Sequence, residues 1–176
     1  MVDASKIHVF DTKMIAFPQG IMAIEAAKLA DEGKSGAEII AHLESLRNKV
    51  QFIAAIDDMT NLKKGGRVSA IQAGLGSMLQ VKPVLNIIDG SLAPLAKVRT
   101  FKKALDFLVE SAVEAGLNPE IDEVGVVHMD NLAAAEMVRD KVIAAYSGMN
   151  VVILPLSLTV SVHAGPGAIG IGWIKR

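Results

Sequence analysis

Apolar and polar positions along the first fifty residues predict one strand followed by two helices. Ile7–Phe10 is a short β-prone run that ends at polar residues, as a buried strand reaching a loop does. From Gly20 to Asp31 the apolar residues recur with roughly helical spacing, and Gly33 supplies a stop signal. Ser35 and Glu38 then form an S-x-x-E capping box, which predicts the start of a second helix.

The middle of the chain predicts strands, a weak helix and a hairpin. Phe52–Ile56 has the composition of a strand that runs into acidic residues. Ser69–Leu79 favours a helix that its internal glycines weaken. Val84–Ile88 is β-prone and is followed by Asp89-Gly90, a hairpin signal, so we predict that Leu92–Arg99 is the partner strand.

The last third of the chain predicts capped helices and further short strands. Thr100 is placed to cap one helix, and Asp130 or Asn131 is placed to cap another that runs to Ala145. The apolar, β-prone runs predicted as strands are Val124–His128, Val151–Leu154, Leu158–Val162 and Ile169–Ile174. Beyond residue 150 we therefore expect only strands and turns.

This order of elements predicts an α/β fold in which helices are layered on a sheet. The Asp89-Gly90 hairpin and the closely spaced final strands predict a mixed sheet, because a hairpin pairs its strands antiparallel. We place a domain boundary near residue 50, where the first strand and two helices end.

Composition removes several classes of function. The 176 residues are 51% hydrophobic, which is enough for a real core, and the apolar runs are too short for a membrane-spanning helix. A net charge of -1 and 4% aromatic residues argue against a nucleic-acid partner. The absence of cysteine excludes disulfides and thiolate chemistry, so we expect a cytoplasmic protein stabilised by packing.

The basic turn Lys63–Ser69 is the first candidate for chemistry. Gly65 and Gly66 leave backbone N–H groups accessible, and the Arg67 guanidinium is a rigid fork that matches a carboxylate or phosphate. The sequence alone leaves two interpretations open, an anion site and a solvated basic turn.

His163 is the second candidate. It stands just before a Gly-Pro-Gly turn that begins at Gly165, so its backbone is restrained while its imidazole is free to bind an acid group. A structural role is the alternative, and it is our expectation for His8, His42 and His128.

The known catalytic and cofactor motifs do not fit this sequence. Gly165–Gly170 spells G-x-G-x-x-G, but too few residues follow for the helix, second strand and ribose-binding acid of a dinucleotide site. The P-loop order and the G-x-S-x-G elbow are absent. Asp57 and Asp58 are adjacent, so in a strand they point to opposite faces, and no metal-ligand spacing accompanies them. We expect no enzyme activity and no cofactor or metal.

Several motifs together resemble the DegV family. They are L-K-K-G-G-R-V-S at 62–69, G-S-M-L-Q-V-K-P-V-L at 76–85, D-G at 89–90, K-V-R-T at 97–100 and H-A-G-P-G-A-I-G at 163–170. Because they occur in the family's order over residues 52–174, the set is far more specific than any one motif. Residues 1–50 resemble the remnant of the family's amino-terminal domain, and residues 51–176 resemble its carboxyl-terminal domain.

The resemblance implies a cytoplasmic α/β protein that binds a long-chain fatty acid, such as palmitate, between two domains. It further implies that the carboxylate is presented to a separate fatty acid kinase. The family motifs place Arg67 and His163 in the polar network around the carboxylate, and Arg99 in the segment associated with the kinase. Gly65, Gly66, Ser69 and Gly165 belong to the same two motifs, so we expect them in the ligand site.

The chain also departs from the family pattern. Family members are longer at the amino terminus, where hydroxyl-bearing loops hold the carboxylate directly, and neither loop occurs here. Thr12 replaces a usual Ser, and Val162 stands where a Thr often precedes the His. We therefore expect a truncated domain with weakened lipid binding and an exposed interdomain surface that favours self-association. The alternative function is an interaction module that docks on a kinase without binding lipid itself.

Overall fold

The structure is a computed structural model that describes residues 3, 6–68, 71 and 81–176. Its helices within these residues are α1 (Ala16–Asp31), α2 (Gly36–Arg47), α3 (Thr60–Lys64), α4 (Phe101–Glu114), α5 (Leu132–Ala145) and α6 (Leu158–Ala164). Its strands are β1 (Val50–Ala55), β2 (Lys82–Ile88), β3 (Ser91–Val98), β4 (Glu123–His128), β5 (Val151–Pro155) and β6 (Ile169–Ile174). The helix predicted over Ser69–Leu79 lies outside the described residues, apart from Ile71.

The described strands form one six-stranded sheet in the order β3-β2-β1-β6-β4-β5. Neighbouring strands are antiparallel except for β4 and β5, which run parallel and are joined through α5. A parallel pair needs such a crossover, whereas β2 and β3 are joined by a tight turn. The α/β fold with a mixed sheet is thus confirmed.

The local turn and cap signals formed as predicted. Asp89 and Gly90 both have positive φ, 48° and 78°, the geometry of a two-residue hairpin turn whose twist matches the strands. Ser35 and Glu38 make both hydrogen bonds of the capping box. The side chains of Thr100 and Asn131 each accept a hydrogen bond from the backbone N–H three residues on.

The strand predicted over Ile7–Phe10 is wrong. This segment has no strand pairing within the described residues, and Val9 is 90% exposed. Extended backbone becomes a strand only where a neighbouring strand takes up its N–H and C=O groups. The segment is anchored by side chains instead, since the Arg47 guanidinium lies 4.5 Å from the centre of the Phe10 ring.

The strand predicted over Leu158–Val162 is also wrong, because these residues lie in α6. The helix begins where Ser157 O accepts hydrogen bonds from the N–H groups of Val160 and Ser161. It turns Val160 and Ala164 towards a buried cluster with α3 while Leu158 stays 83% exposed. Packing thereby outweighs the β preference of the branched side chains. Because α6 lies beyond residue 150, the expectation that only strands and turns follow that residue is also wrong.

Helices α4 and α5 cover one face of the sheet. Leu105 and Leu108 of α4 and Val138 and Val142 of α5 are buried in one cluster with alternate residues of the central strands. The sheet residues of this cluster include Ile53, Ala55, Val84, Val124, Val126, Ile169, Ile171 and Trp173. Burying this surface is a principal source of stability.

The opposite face carries two separate groups of helices. At one end α1 approaches the sheet closely, because Gly125 and Gly172 leave room for Phe17 and Pro18. A Cβ at Gly125 would lie 2.2 Å from Phe17 Cγ. At the other end α3 and α6 pack together over residues that include Leu85.

Candidate functional site

A cavity of about 290 Å³ lies on the sheet face that carries α1, α3 and α6. Its lining is mostly aliphatic and comes from β1, β2, β6 and the flanking helices. Residues that face it include Phe52, Ala54, Leu85, Ile87, Val160 and Gly170. Ligand pockets in proteins commonly begin at about 300 Å³, so the cavity is at the lower limit of that range.

Polar groups of the cavity lining are contributed by Arg67, which follows α3, and by Thr159 and His163 of α6. His163 Nδ1 is buried and has no hydrogen-bond partner among the described residues. Such a nitrogen is a rare feature, because an unpaired buried polar group costs about 1–3 kcal/mol. An acceptor oxygen that reached this nitrogen would remove that cost.

Gly65 holds α3 and His163 in close contact. A Cβ at residue 65 would lie 2.3 Å from His163 Nδ1, so glycine alone fits there without displacing the imidazole. Gly66 follows with φ at 70°, in the left-handed region that glycine adopts at little cost. This turn brings Arg67 back, and its Nη1 donates a hydrogen bond of 2.8 Å to Gly65 O.

Asn61 joins the two helices from the other side. Its Nδ2 donates a hydrogen bond of 3.2 Å to Val162 O, and its backbone oxygen accepts one of 2.8 Å from Gly65 N. Gly165 has φ at 77° and passes so close that a Cβ would lie 3.1 Å from Asn61 Cγ. Asn61 was not predicted from the sequence, because one asparagine before a basic turn carries no recognisable signal.

The structure therefore brings five of the predicted site residues together. Gly65, Gly66 and Arg67 end α3, while His163 and Gly165 end the helix that packs against it. The basic turn is only partly irregular, because Lys63 and Lys64 belong to α3 rather than to a turn. Two other predicted residues are not shown to belong to this group. Ser69 lies outside the described residues, and Arg99 is exposed just after β3, away from the described cavity lining.

The Arg67 charge has no carboxylate partner among the described residues. Asp57 is paired instead with Lys82, whose Nζ lies 2.7 Å from Asp57 Oδ1. Hydrogen bonds from the Thr60 side chain and backbone hold the pKa of Asp58 below its usual range. Asp57 and Asp58 are thus engaged by other groups, and Arg67 is available to an incoming anion.

The described part of the chain holds no cluster of three or more His, Asp or Glu side chains suited to a metal ion. None of its helices has the length and apolar character needed to cross a membrane.

Together these features define a layered α/β domain with an apolar cavity that carries polar groups from two helix ends. The sequence profile described as "Uncharacterised protein, DegV family" matches residues 1–176. The chain belongs to the DegV family.

Named relatives support this assignment. The DegV domain-containing protein BH3627 of Halalkalibacterium halodurans is 34% identical over 173 residues, which are 98% of this chain and 61% of that protein. A fatty acid binding DegV family protein, SAG1342 of Streptococcus agalactiae, superposes with a TM-score of 0.84 at 28% identity, covering 96% of this chain and 60% of that one. DegV of Bacillus subtilis, described as a fatty acid binding protein, gives a TM-score of 0.81 at 31% identity, covering 95% and 60%. The chain thus spans about three fifths of these relatives.

Proposed function

We propose that this chain binds a long-chain fatty acid such as palmitate, with its tail in the cavity and its carboxylate at Arg67 and His163. The observation that carries the proposal is the unpaired, buried Nδ1 of His163 beside an aliphatic cavity. The two relatives named above as fatty acid binding proteins, from Streptococcus agalactiae and Bacillus subtilis, support this proposal.

The polar groups suit a carboxylate in both charge and hydrogen bonding. A guanidinium has five N–H donors, and Arg67 uses Nη1 on Gly65 O, so further donors remain for a ligand. His163 donates from Nδ1 in one neutral tautomer and in the protonated form. Two oxygens of one carboxylate can then be shared between the two side chains. Gly65, Gly66, Gly165 and Ser69 complete the proposed site.

The tail supplies most of the binding free energy in this proposal. Each methylene buried contributes about 0.8 kcal/mol, so a palmitoyl tail gains roughly 10 kcal/mol before ordering costs are subtracted. The carboxylate contacts then fix the orientation of the ligand. Since the chain spans only about 60% of its solved relatives, we propose that it binds palmitate more weakly than a full-length relative does.

Truncation of the two polar side chains tests the site. Arg67→Ala and His163→Ala should each weaken palmitate binding about 10- to 150-fold, which corresponds to a charge-assisted hydrogen bond of about 1.5–3 kcal/mol. Lys64→Ala, which removes one positive charge from the exposed end of α3, and His42→Ala on α2 are the matched controls. Titration calorimetry measures affinity, and circular dichroism checks the fold. Parent-like affinity in both site variants would refute the assignment.

The second part of the proposal is that the bound carboxylate is presented to a fatty acid kinase and that this chain performs no chemistry itself. Arg99, exposed after β3, is the proposed contact with the kinase. The alternative is a docking module that binds a kinase without binding lipid. Arg99→Ala should abolish kinase binding without loss of palmitate binding if Arg99 is a docking residue, and a parent chain that binds the kinase but never palmitate would favour the alternative. Turnover of a substrate by the purified chain alone would overturn both.

We also propose that residues 1–50 and 51–176 are parts of two domains. The apolar surface exposed between these domains is proposed to favour self-association of the chain. Exposed large apolar side chains on this chain include Val9, Ile24, Leu154, Leu158 and Val162. An apolar groove of about 470 Å³ between α1 and β5 adds to this surface. Light scattering over a concentration series would reveal the association, and a strictly monomeric chain would contradict it.

A further inference from the structure

The segment that precedes α1 forms part of the cavity wall beside the β2–β3 hairpin. We call residues 11–15 the strap. Ile15, its last residue, is half-buried and lines the cavity together with Ile87 and Gly90. The strap thus meets the β2–β3 hairpin at this end.

Local hydrogen bonds fix the shape of the strap. Asp11 Oδ1 accepts a hydrogen bond of 2.9 Å from Lys13 N, and Thr12 Oγ1 accepts one of 3.2 Å from Met14 N. Lys13 adopts a positive φ of 54°, which turns the chain sharply just before Ile15. Such side-chain-to-backbone bonds hold a turn without help from a sheet.

Two contacts hold the strap against the hairpin. A Cβ at Gly90 would lie 3.6 Å from Lys13 Cβ, so the two backbones are in close approach there. Lys13 Nζ also lies 3.1 Å from Asp89 Oδ1. Asp89 is largely exposed and Lys13 partly so, which screens the ion pair, so the backbone contact rather than the charge is the main restraint.

The strap separates the cavity from a polar cleft on its other side. Ile87 lines both spaces, and the cleft is also lined by Lys13, Met14 and Arg47. The wall between the cavity and the cleft is therefore thin at Ile87. An apolar tail gains little by passing it, because the space beyond is lined by charged side chains.

The length of the cavity follows from the strands beneath it. Leu85 packs in the α3–α6 cluster near Arg67, whereas Gly90 lies under the strap. Three residues of extended chain lead from Leu85 to the end of β2 at Ile88, which is about 10 Å at 3.3 Å per residue, and the hairpin turn at Asp89-Gly90 follows. A ligand whose carboxylate meets Arg67 and whose tail follows β2 therefore comes to Ile15 beyond the end of this strand.

From this geometry we infer that Ile15 sets the longest acyl chain that the cavity accepts, an inference that rests on the proposed fatty-acid binding. Along laurate, myristate, palmitate, stearate and arachidate, affinity should rise about fourfold per methylene until the tail reaches Ile15, and then stop rising. The side chain of Ile15 acts as the stop.

Two substitutions at this position should move the limit in opposite directions. Ile15→Ala removes three carbons from the end wall and should shift the limit to the next longer member of the series. Ile15→Phe adds bulk and should shift it to the next shorter member. Ile24→Ala, which removes the same atoms from an exposed position of α1 outside the cavity, should leave the limit unchanged.

Displacement of a fluorescent fatty acid by each member of the series measures the limit, and thermal unfolding of each variant shows that it is folded. Opposite shifts in the two Ile15 variants support the inference. If the parent binds fatty acids but its limit is unchanged in both folded variants, the inference is wrong while the proposed function stands. If the parent binds no member of the series, the proposed function fails and the inference falls with it.

Discussion

Replacing Gly65 with alanine tests whether the close approach of α3 to His163 builds the ligand site. The new Cβ would lie 2.3 Å from His163 Nδ1 and 3.2 Å from the backbone oxygen of Asn61. The helix backbone on one side can yield only a little, so the imidazole has to move. We therefore expect Gly65→Ala to disturb ligand binding and packing together.

The size of both effects follows from the lost interactions. Displacing His163 removes a hydrogen bond to a carboxylate of about 1.5–3 kcal/mol, so palmitate affinity should fall roughly 10- to 150-fold. Forcing a methyl group into this contact should also destabilise the fold by about 1–3 kcal/mol. Titration calorimetry gives the first number, and urea unfolding gives the second.

Gly66→Ala is the matched control. Gly66 has φ at 70°, and a Cβ there would have no atom within 4 Å. An alanine at this backbone conformation costs about 1–2 kcal/mol of stability without touching His163. The control should thus lose stability to a similar degree, and its palmitate affinity should fall less than that of Gly65→Ala, because its Cβ leaves the imidazole in place.

A double substitution separates the clash from other effects. His163→Ala removes the ring that a Cβ at residue 65 would strike, so Gly65→Ala should cost less stability in that background than in the parent. The reasoning is refuted if Gly65→Ala binds palmitate as tightly as the parent. Equal destabilisation in both backgrounds would show that His163 is not what the new methyl group meets.

Three further predictions concern the scaffold. A hydrogen bond from Arg176 holds the pKa of Glu25 below its ordinary value, so the stabilisation from this pair is present above the ordinary carboxyl range and is lost as the pH falls through the lowered pKa. Urea unfolding should show less acid destabilisation in Glu25→Gln than in the parent. Gly125→Ala should destabilise the fold by about 1–3 kcal/mol in urea, because its Cβ would lie 2.2 Å from Phe17 Cγ. Tyr146→Phe should cost about 1–3 kcal/mol in thermal or urea unfolding, since the hydroxyl accepts a backbone N–H at 3.1 Å.

Signals that act between neighbours in the sequence were predicted well. The capping box at Ser35 and the hairpin turn at Asp89-Gly90 depend on bonds and dihedral angles within four residues. The glycine turn with Arg67 and the histidine at 163 were singled out from their chemistry and supported by motif resemblance, whereas their proximity depends on the fold. A turn at residue 65 and a histidine at residue 163 are brought together only by the packing of α3 on α6.

The errors occurred where tertiary contacts decide the local structure. Ile7–Phe10 and Leu158–Val162 are both rich in β-branched residues or other residues common in strands, yet neither forms a strand within the described chain. The first is anchored through Phe10 on Arg47, and the second buries Val160 beside α3 as a helix. A run of four or five residues is too short for its periodicity to distinguish a strand from a helix or a loop.

The cavity itself could not be read from the sequence, because it results from a gap between two groups of helices. Glycines at 125 and 172 let α1 lie close to one end of the sheet, while α3 and α6 cover the other end. Between them the sheet face is lined by residues such as Phe52, which lies over Gly170. A tail bound there would touch Ile15 at one end and the His163 helix at the other, although 148 residues of chain separate them. Such a ligand would bridge the two helical groups, so its binding free energy would add directly to the stability of the layer that they form.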